Sequence, residues 1–214
     1  MSETEDREHE QPESPIFDPS RMAPGADAAQ FLEELRQLQI PCPWGDLTKG
    51  AGFVKFPHPI SYMPDMEVLP YVPLALTLGS GMSPHDAQCR GFIPTYQFGK
   101  LIHSDIIEPR VGPKNYLRMD LRDPENINLG GFKVHALMSQ AVFTYDGLGV
   151  NFRGRENEIA VAKALSNLLM PGGIIINNNV GPNIFEEILM KECGFKYVKE
   201  DSAFGAVMLQ KPFE

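Results

Sequence analysis

The sequence predicts an α/β protein with a mostly parallel sheet, covered on both faces and closed by an antiparallel hairpin. Three observations carry this. Short apolar runs of strand length recur from residue 74 onward, and two segments with helical spacing fall among the later ones. The last two runs, FKYVKE (195–200) and AVMLQ (206–210), are separated by only five residues, Gly205 among them. Strands alternating with helices make parallel neighbours, whereas so short a link makes antiparallel ones.

Residues 1–25 read as an acidic leader. Seven acids between Glu3 and Asp18 stand against Arg7 and Arg21, so five of the chain's nine net negative charges fall within the first 21 residues. With Pro12, Pro15 and Pro19 and no apolar periodicity, this stretch is expected to be disordered and dispensable. Residues 26–72 read as a helix followed by a cover segment. In DAAQFLEELRQLQ (27–39), Phe31, Leu32, Leu35 and Leu38 share one face, and Pro41 and Pro43 end the helix. The rest is rich in proline, glycine and aromatics, among them Trp44, Phe53, Phe56, Tyr62 and Tyr71. It is either irregular packing on the sheet or a functional segment. The functional reading expects it to fold over the strand tips and wall a pocket.

Residues 73–214 read as the core domain. Seven strands are expected: LALTL (74–78), KLIHSDI (100–106), NYLRMD (115–120), FKVHALM (132–138), IIIN (174–177) and the two strands of the hairpin. One helix runs from Glu156 to Met170, with Ile159, Val161, Ala164, Leu165, Leu168 and Leu169 at helical spacing, and Pro171-Gly172-Gly173 stops it. A second runs from Asn183 to Cys193, burying Ile184, Phe185, Ile188 and Leu189, with Gly194 as its stop. The first half is short of helices. Only residues 108–115, with Pro109, Gly112 and Pro113, separate the second and third strands. A parallel crossover usually needs about a dozen residues.

Composition bounds the function. At 214 residues, with 43% apolar and 22% charged residues, the chain can form one domain with a full core. No apolar run approaches the length of about 18 residues that a membrane helix needs, and the polar start lacks a signal-peptide core. Cys42, Cys89 and Cys193 are far apart and odd in number, which reads as reduced thiols in a cytoplasmic protein. Without a Lys/Arg cluster, nucleic acid is not an expected partner. His58, His85, His103 and His135 lack ligand spacing, so no metal is expected.

The first strand runs into Gly79-Ser80-Gly81, followed by Ser83-Pro84-His85-Asp86, the pattern of a capped helix start. Glycines there let backbone approach a ligand closely, and a helix N-terminus favours a carboxylate. An ordinary tight turn from strand to helix uses the same residues. The ordered set LTLGSGMS (76–83), LIHSDI (101–106), YLRMDLRDPENI (116–127), ALSNLLMPGGIIIN (164–177) and CGFKYVKE with FGAVMLQKP (193–212) resembles the class I S-adenosylmethionine-dependent methyltransferases. The resemblance covers roughly residues 70–212. It implies a Rossmann-like fold with a mostly parallel seven-stranded sheet and a C-terminal antiparallel hairpin. It also implies S-adenosylmethionine as cofactor and a small-molecule acceptor.

By that resemblance Gly79, Ser80 and Gly81 run under the amino-acid part of the cofactor. Asp105, 24 residues after Gly81, accepts the ribose hydroxyls, with Glu108 as the fallback. Asp120 accepts from the adenine amino group, while Leu121 supplies a backbone donor and packs on the ring. Ser139 and Gln140 follow the fourth strand, where the methyl group meets its acceptor. Tyr145, Asp146 and Asn177-Asn178-Asn179 are candidate lining residues, and Asp123 before Pro124 reads as a turn residue. As a plain strand-end acid, Asp105 instead caps a turn. No catalytic base is identified. Thr77 stands where the family usually carries an acid, and Lys133 replaces a common Asp. Both departures favour a catalytically silent binding module as the alternative. A nicotinamide-dependent oxidoreductase is the second alternative, and the closing hairpin speaks against it. Titration with the methyl donor, its demethylated product and NAD separates the three.

Overall fold

The computed structural model describes residues 17–50, 52–56, 66–79, 97–106, 115–140, 142, 154–178, 184–201 and 206–214. At the centre lies VPLALTL, the strand β3 (Val72–Leu78), in which every residue is buried. A short strand apolar on both faces belongs in the middle of a parallel sheet. β3 indeed pairs in parallel with β4 (Phe98–Asp105) on one side and β6 (Val134–Gln140) on the other. β5 (Tyr116–Arg118) extends the first side in parallel, and β7 (Leu169–Asn178) extends the second. β8 (Lys196–Asp201) and β9 (Ala206–Gln210) form the closing hairpin, and β9 inserts between β7 and β8.

The sheet order is therefore β5-β4-β3-β6-β7-β9-β8, with β9 alone running against the rest. The reversal of order beside β3 makes the fold Rossmann-like, and the inserted last strand makes it the class I methyltransferase fold the sequence implied. All seven expected strands are present, with ends shifted by a few residues. The largest shift is at β7, which begins at Leu169 rather than Ile174. Leu169 pairs with Val134 and Ile174 with Ala136, so Pro171-Gly172-Gly173 forms an irregularity inside the strand instead of a stop before it.

One face carries Leu74, Leu76, Leu78, Ile102, Leu137 and Ile175. It is covered by α1 (Ala28–Gln37), α2 (Arg155–Leu168) and α3 (Ile184–Cys193). Asp27 caps α1 by accepting from the Gln30 amide at 3.0 Å, and Phe31 and Leu35 are its buried residues. A fully buried leucine such as Leu35 contributes about 1.5–3 kcal/mol. The opposite face carries Ala75, Ala136, Met138, Ile174, Ile176 and Met208, packed with Trp44, Leu47 and Leu69. A small antiparallel pair, β1 (Val54–Phe56) and β2 (Met66–Val68), was not expected from sequence.

Two expectations about the N-terminal third change. The leader was expected to reach residue 25, but the chain packs from Phe17 onward, with Phe17, Arg21 and Met22 all buried. Met22 bridges to Leu117, and the Ala23 amide donates to Tyr116 O at 3.2 Å, which covers the edge of β5. Residues 1–16 lie outside the described residues.

The second change concerns where the cover runs. Gln39 exchanges hydrogen bonds with the Lys133 backbone at 2.9 Å each way, and His135 Nε2 meets Ile40 O at 2.9 Å. Trp44 Nε1 donates to Gly172 O at 2.8 Å, and the Leu47 amide donates to Gln210 Oε1 at 2.8 Å. Lys133, His135 and Gly172 lie at the starts of β6 and β7, and Gln210 ends the reversed strand β9. Residues 39–47 therefore strap the amino ends of the strands, not their tips. Pro41 and Pro43 keep this strap extended. Residues 57–65, Tyr62 among them, lie outside the described residues.

Candidate functional site

Ligands of open α/β sheets bind beyond the carboxyl ends of the strands, where the order reverses. Here that place lies past Leu78, Ser104, Arg118, Ser139 and Asn177. The registers Leu78 to Ser104, Leu78 to Ser139, Asp105 to Arg118 and Ser139 to Asn177 bring these tips side by side.

Gly79 is the first residue past β3 and has φ +63°. A Cβ there would lie 2.6 Å from Val142 Cγ2, so both the conformation and the space require glycine. Asp105 follows Ser104 at the tip of β4, beside Gly79. Its Oδ1 accepts from the Ile106 amide at 2.7 Å, and its own carbonyl accepts from the Met119 amide at 2.8 Å. The residue is half-buried at that tip. Ser80, Gly81, the helix start at 83–86, Glu108, Tyr145, Asp146 and Asn179 lie outside the described residues.

Asp120, past the tip of β5, is engaged by its own turn. Its Oδ1 accepts from the Arg122 amide and Nε at 2.9 Å each, and its Oδ2 accepts from an Arg122 terminal nitrogen at 2.8 Å. This bidentate fork holds Arg122 above its ordinary pKa. Leu121 is 3% exposed and belongs to the core, so its side chain packs inward and only its backbone faces the turn. Asp123 accepts from the Glu125 amide at 3.1 Å and starts the 3-10 turn Pro124–Asn126, the turn role expected of it.

Ser139 and Asn177 are 2% and 1% exposed. The Ser139 hydroxyl donates to Asn177 Oδ1 at 2.6 Å, and Asn177 Nδ2 donates to Glu186 Oε1 at 2.9 Å. An ionised carboxylate only accepts, so Glu186 orients the amide and the amide orients the hydroxyl. This relay ties the tips of β6 and β7 to the first turn of α3. Glu186 has no signature in the sequence beyond its place in that turn.

Thr77 is buried on β3, its hydroxyl 3.2 Å from His103 Nδ1, while its carbonyl accepts from the Ser104 hydroxyl at 2.7 Å. The position the family gives to an acid is here a hydroxyl in polar contact with the adjacent strand.

Lys133 does not belong to this site. It precedes β6 by one residue and Ser139 by six, about 20 Å along an extended strand. Its ammonium donates to Asn167 O near the C-terminus of α2, which suits a cation at that end of a helix dipole. Burial holds its pKa below the ordinary lysine value. Its departure from the family pattern therefore says nothing about cofactor binding.

Among the described residues, no three His, Cys, Asp or Glu side chains converge as metal ligands, and no helix is long and apolar enough to cross a membrane.

No family model and no curated protein sequence matches this chain. Among solved structures it is similar to the N-methyltransferase NodS from Bradyrhizobium japonicum WM9, at 13% identity and a TM-score of 0.48, over 87% of this chain and 98% of that one. It is also similar to the amino pentose methyltransferase CalS10 from Micromonospora echinaspora, at 13% identity and a TM-score of 0.46, over 65% and 84% of the two chains. DesVI from Streptomyces venezuelae matches at 13% identity and a TM-score of 0.44, over 66% and 84%. At such identities the strand order and the residues at its tips, not the neighbours, decide what can be proposed.

Proposed function

We propose that this protein binds S-adenosylmethionine across the tips of β3, β4 and β5 and transfers its methyl group to a small molecule. The observation that carries the reading is Asp105 beside Gly79, at the reversal of strand order in a sheet with an inserted, reversed last strand. The residues fit an adenosyl group at its ribose. Gly79 turns the chain past β3 where a Cβ would strike Val142, and Asp105 would offer a short carboxylate to two adjacent hydroxyls. At the adenine the fit requires Arg122 to swing off Asp120, an exchange of one charge-assisted pair for a neutral contact.

When bound, the cofactor supplies an electrophilic methyl on a sulfonium. The protein's part is then alignment and exclusion of water rather than proton transfer, so an acceptor that is already nucleophilic needs no dedicated base. The tips of β6 and β7, fixed through Ser139, Asn177 and Glu186, are the rigid wall against which such an acceptor would be held.

A second reading, a binding module without turnover, is favoured by the Asp120–Arg122 fork and by Thr77 in place of an acid. Calorimetric titration with S-adenosylmethionine, S-adenosylhomocysteine and NAD tests both. Binding of the first two and not of NAD supports the cofactor site that both readings share, and release of S-adenosylhomocysteine in the presence of a nucleophilic small-molecule acceptor favours methyl transfer over the silent module. Tight binding of NAD alone overturns both.

A further inference from the structure

The loop that carries Asp120 is pinned from the opposite end of the chain. Residues 119–133 join β5 to β6, and their only helical piece is the 3-10 turn Pro124–Asn126. A parallel crossover is ordinarily stiffened by an α-helix packed on the sheet. In its place Arg21 enters from the N-terminal segment. Its Nε donates to Arg118 O at 3.1 Å, one terminal nitrogen donates to Asn128 O at 3.1 Å and the other to Asn126 O at 2.7 Å. The acceptors lie 97 to 107 residues away in sequence and flank Asp120 on both sides.

Arg21 is 6% exposed, and no carboxylate is among its hydrogen-bond partners. Asp18, which attracts it, is itself bound by the Ser20 amide and hydroxyl at 2.9 Å each. A buried cation without an ion pair is costly, and surface tethering alone does not need one. Only a guanidinium has three diverging nitrogens to reach three separate carbonyls. Phe17 adds a second contact on the same loop. Gly130 has φ +62°, and a Cβ there would lie 2.6 Å from Phe17 Cβ.

We infer that Arg21 is a positioning residue: it holds the 119–128 loop in the conformation that presents Asp120 and the Leu121 backbone to the ligand. The ligand side of this rests on the adenosyl reading above; the pinning itself does not. The test uses the full chain, the variants Arg21→Lys and Arg21→Gln, and two measurements well below the melting temperature. Hydrogen exchange of the 119–128 amides should quicken in both variants while amides of β3 and β6 stay protected. The Kd values for adenosine and for S-adenosylhomocysteine should rise by the same factor, about tenfold, because the shared adenosyl part meets the loop.

Exchange that quickens equally throughout the sheet would show Arg21 to be general packing and overturn the inference. So would local loosening with unchanged affinities. If the wild type binds neither ligand, the proposed function falls, while the exchange measurement still decides whether Arg21 pins the loop. Should the Arg21 variants fail to fold, Asn128→Ala removes only the Asn128 Oδ1 acceptor, which the Arg21 nitrogen bonded to Asn128 O also reaches at 3.3 Å, and leaves the three carbonyls and the cation in place. It should loosen the same amides to a smaller degree, and no local change there would overturn the pin.

Discussion

The two ends of the sheet are built differently. At the amino ends, backbone groups are bonded to distant parts of the chain. Gly172 O accepts from both Trp44 Nε1 and Gln210 Nε2, and Lys211 Nζ reaches Ser166 O and Leu169 O. Gly172 has φ +75°, and a Cβ there would lie 2.3 Å from the Phe213 ring. At the carboxyl ends, by contrast, side-chain carboxylates gather: Asp105, Asp120 and Glu186. Asp105 accepts from the Ile106 amide, Asp120 is bound by Arg122, whose side chain can turn away, and Glu186 holds Asn177. Long-range backbone anchoring dominates at the amino ends, while the tips combine fixed contacts, the Arg21 pin and the Ser139–Asn177–Glu186 relay, with a carboxylate whose arginine partner can turn away. That division is what a sheet needs if ligands exchange at its tips.

The sharpest way to break this comparison is Trp44→Ala. It removes a buried indole and the Gly172 hydrogen bond, and should cost about 3–5 kcal/mol in denaturant unfolding while leaving the affinity of the folded protein for S-adenosylhomocysteine unchanged. A matching loss of affinity would mean that the strap reaches the tips after all. Asp105→Ala is the converse. Affinity should fall about tenfold or more with unfolding unchanged within about 0.5 kcal/mol, read by calorimetry beside denaturation.

A smaller effect is expected from His135. This residue is fully buried, its Nε2 meets Ile40 O, and its Nδ1 has no hydrogen-bond partner. Burial holds its pKa below the ordinary 6.5, only partly offset by the Ile40 contact. The unfolded chain therefore binds the proton more readily than the folded one. This contribution to stability is complete above pH 6.5 and is lost as pH falls from there toward the folded value. His135→Gln, which keeps a donor for Ile40 O, should flatten that part of the stability–pH profile without altering ligand binding. An unchanged slope would acquit His135. Smallest of all, Arg122→Ala should remove the fork from Asp120 and tighten adenosine binding by about two- to threefold, the scale of an exposed ion pair. Weaker binding would mean that Arg122 itself touches the ligand.

Much of the core could be read from the sequence because burial on both faces leaves an unbroken apolar run. LALTL and IIIN became β3 and the heart of β7 for that reason. The amphipathic spacing of Phe31 and Leu35 likewise marked α1. Asp105 was legible as a strand-end acid at a fixed distance from a glycine loop. The partner of Asp120 was within reach too, since a carboxylate often bonds the amide two residues on, and here that residue is an arginine.

What tertiary structure alone decided were the contacts spanning about a hundred residues. The sequence after residue 39 shows a stretch rich in proline, glycine and aromatics, but nothing in such a stretch encodes which end of a sheet it will cross. The landing points, Lys133, His135, Gly172 and Gln210, exist as one surface only after β6, β7 and β9 have assembled. Arg21 sits in a run of acids and prolines that reads as a leader, yet it is buried because three carbonyls converge where its side chain ends. Periodicity reports which face a residue buries. Where that face finds its partner is set by the assembled fold, because backbone carbonyls attract a donor whatever their side chains are.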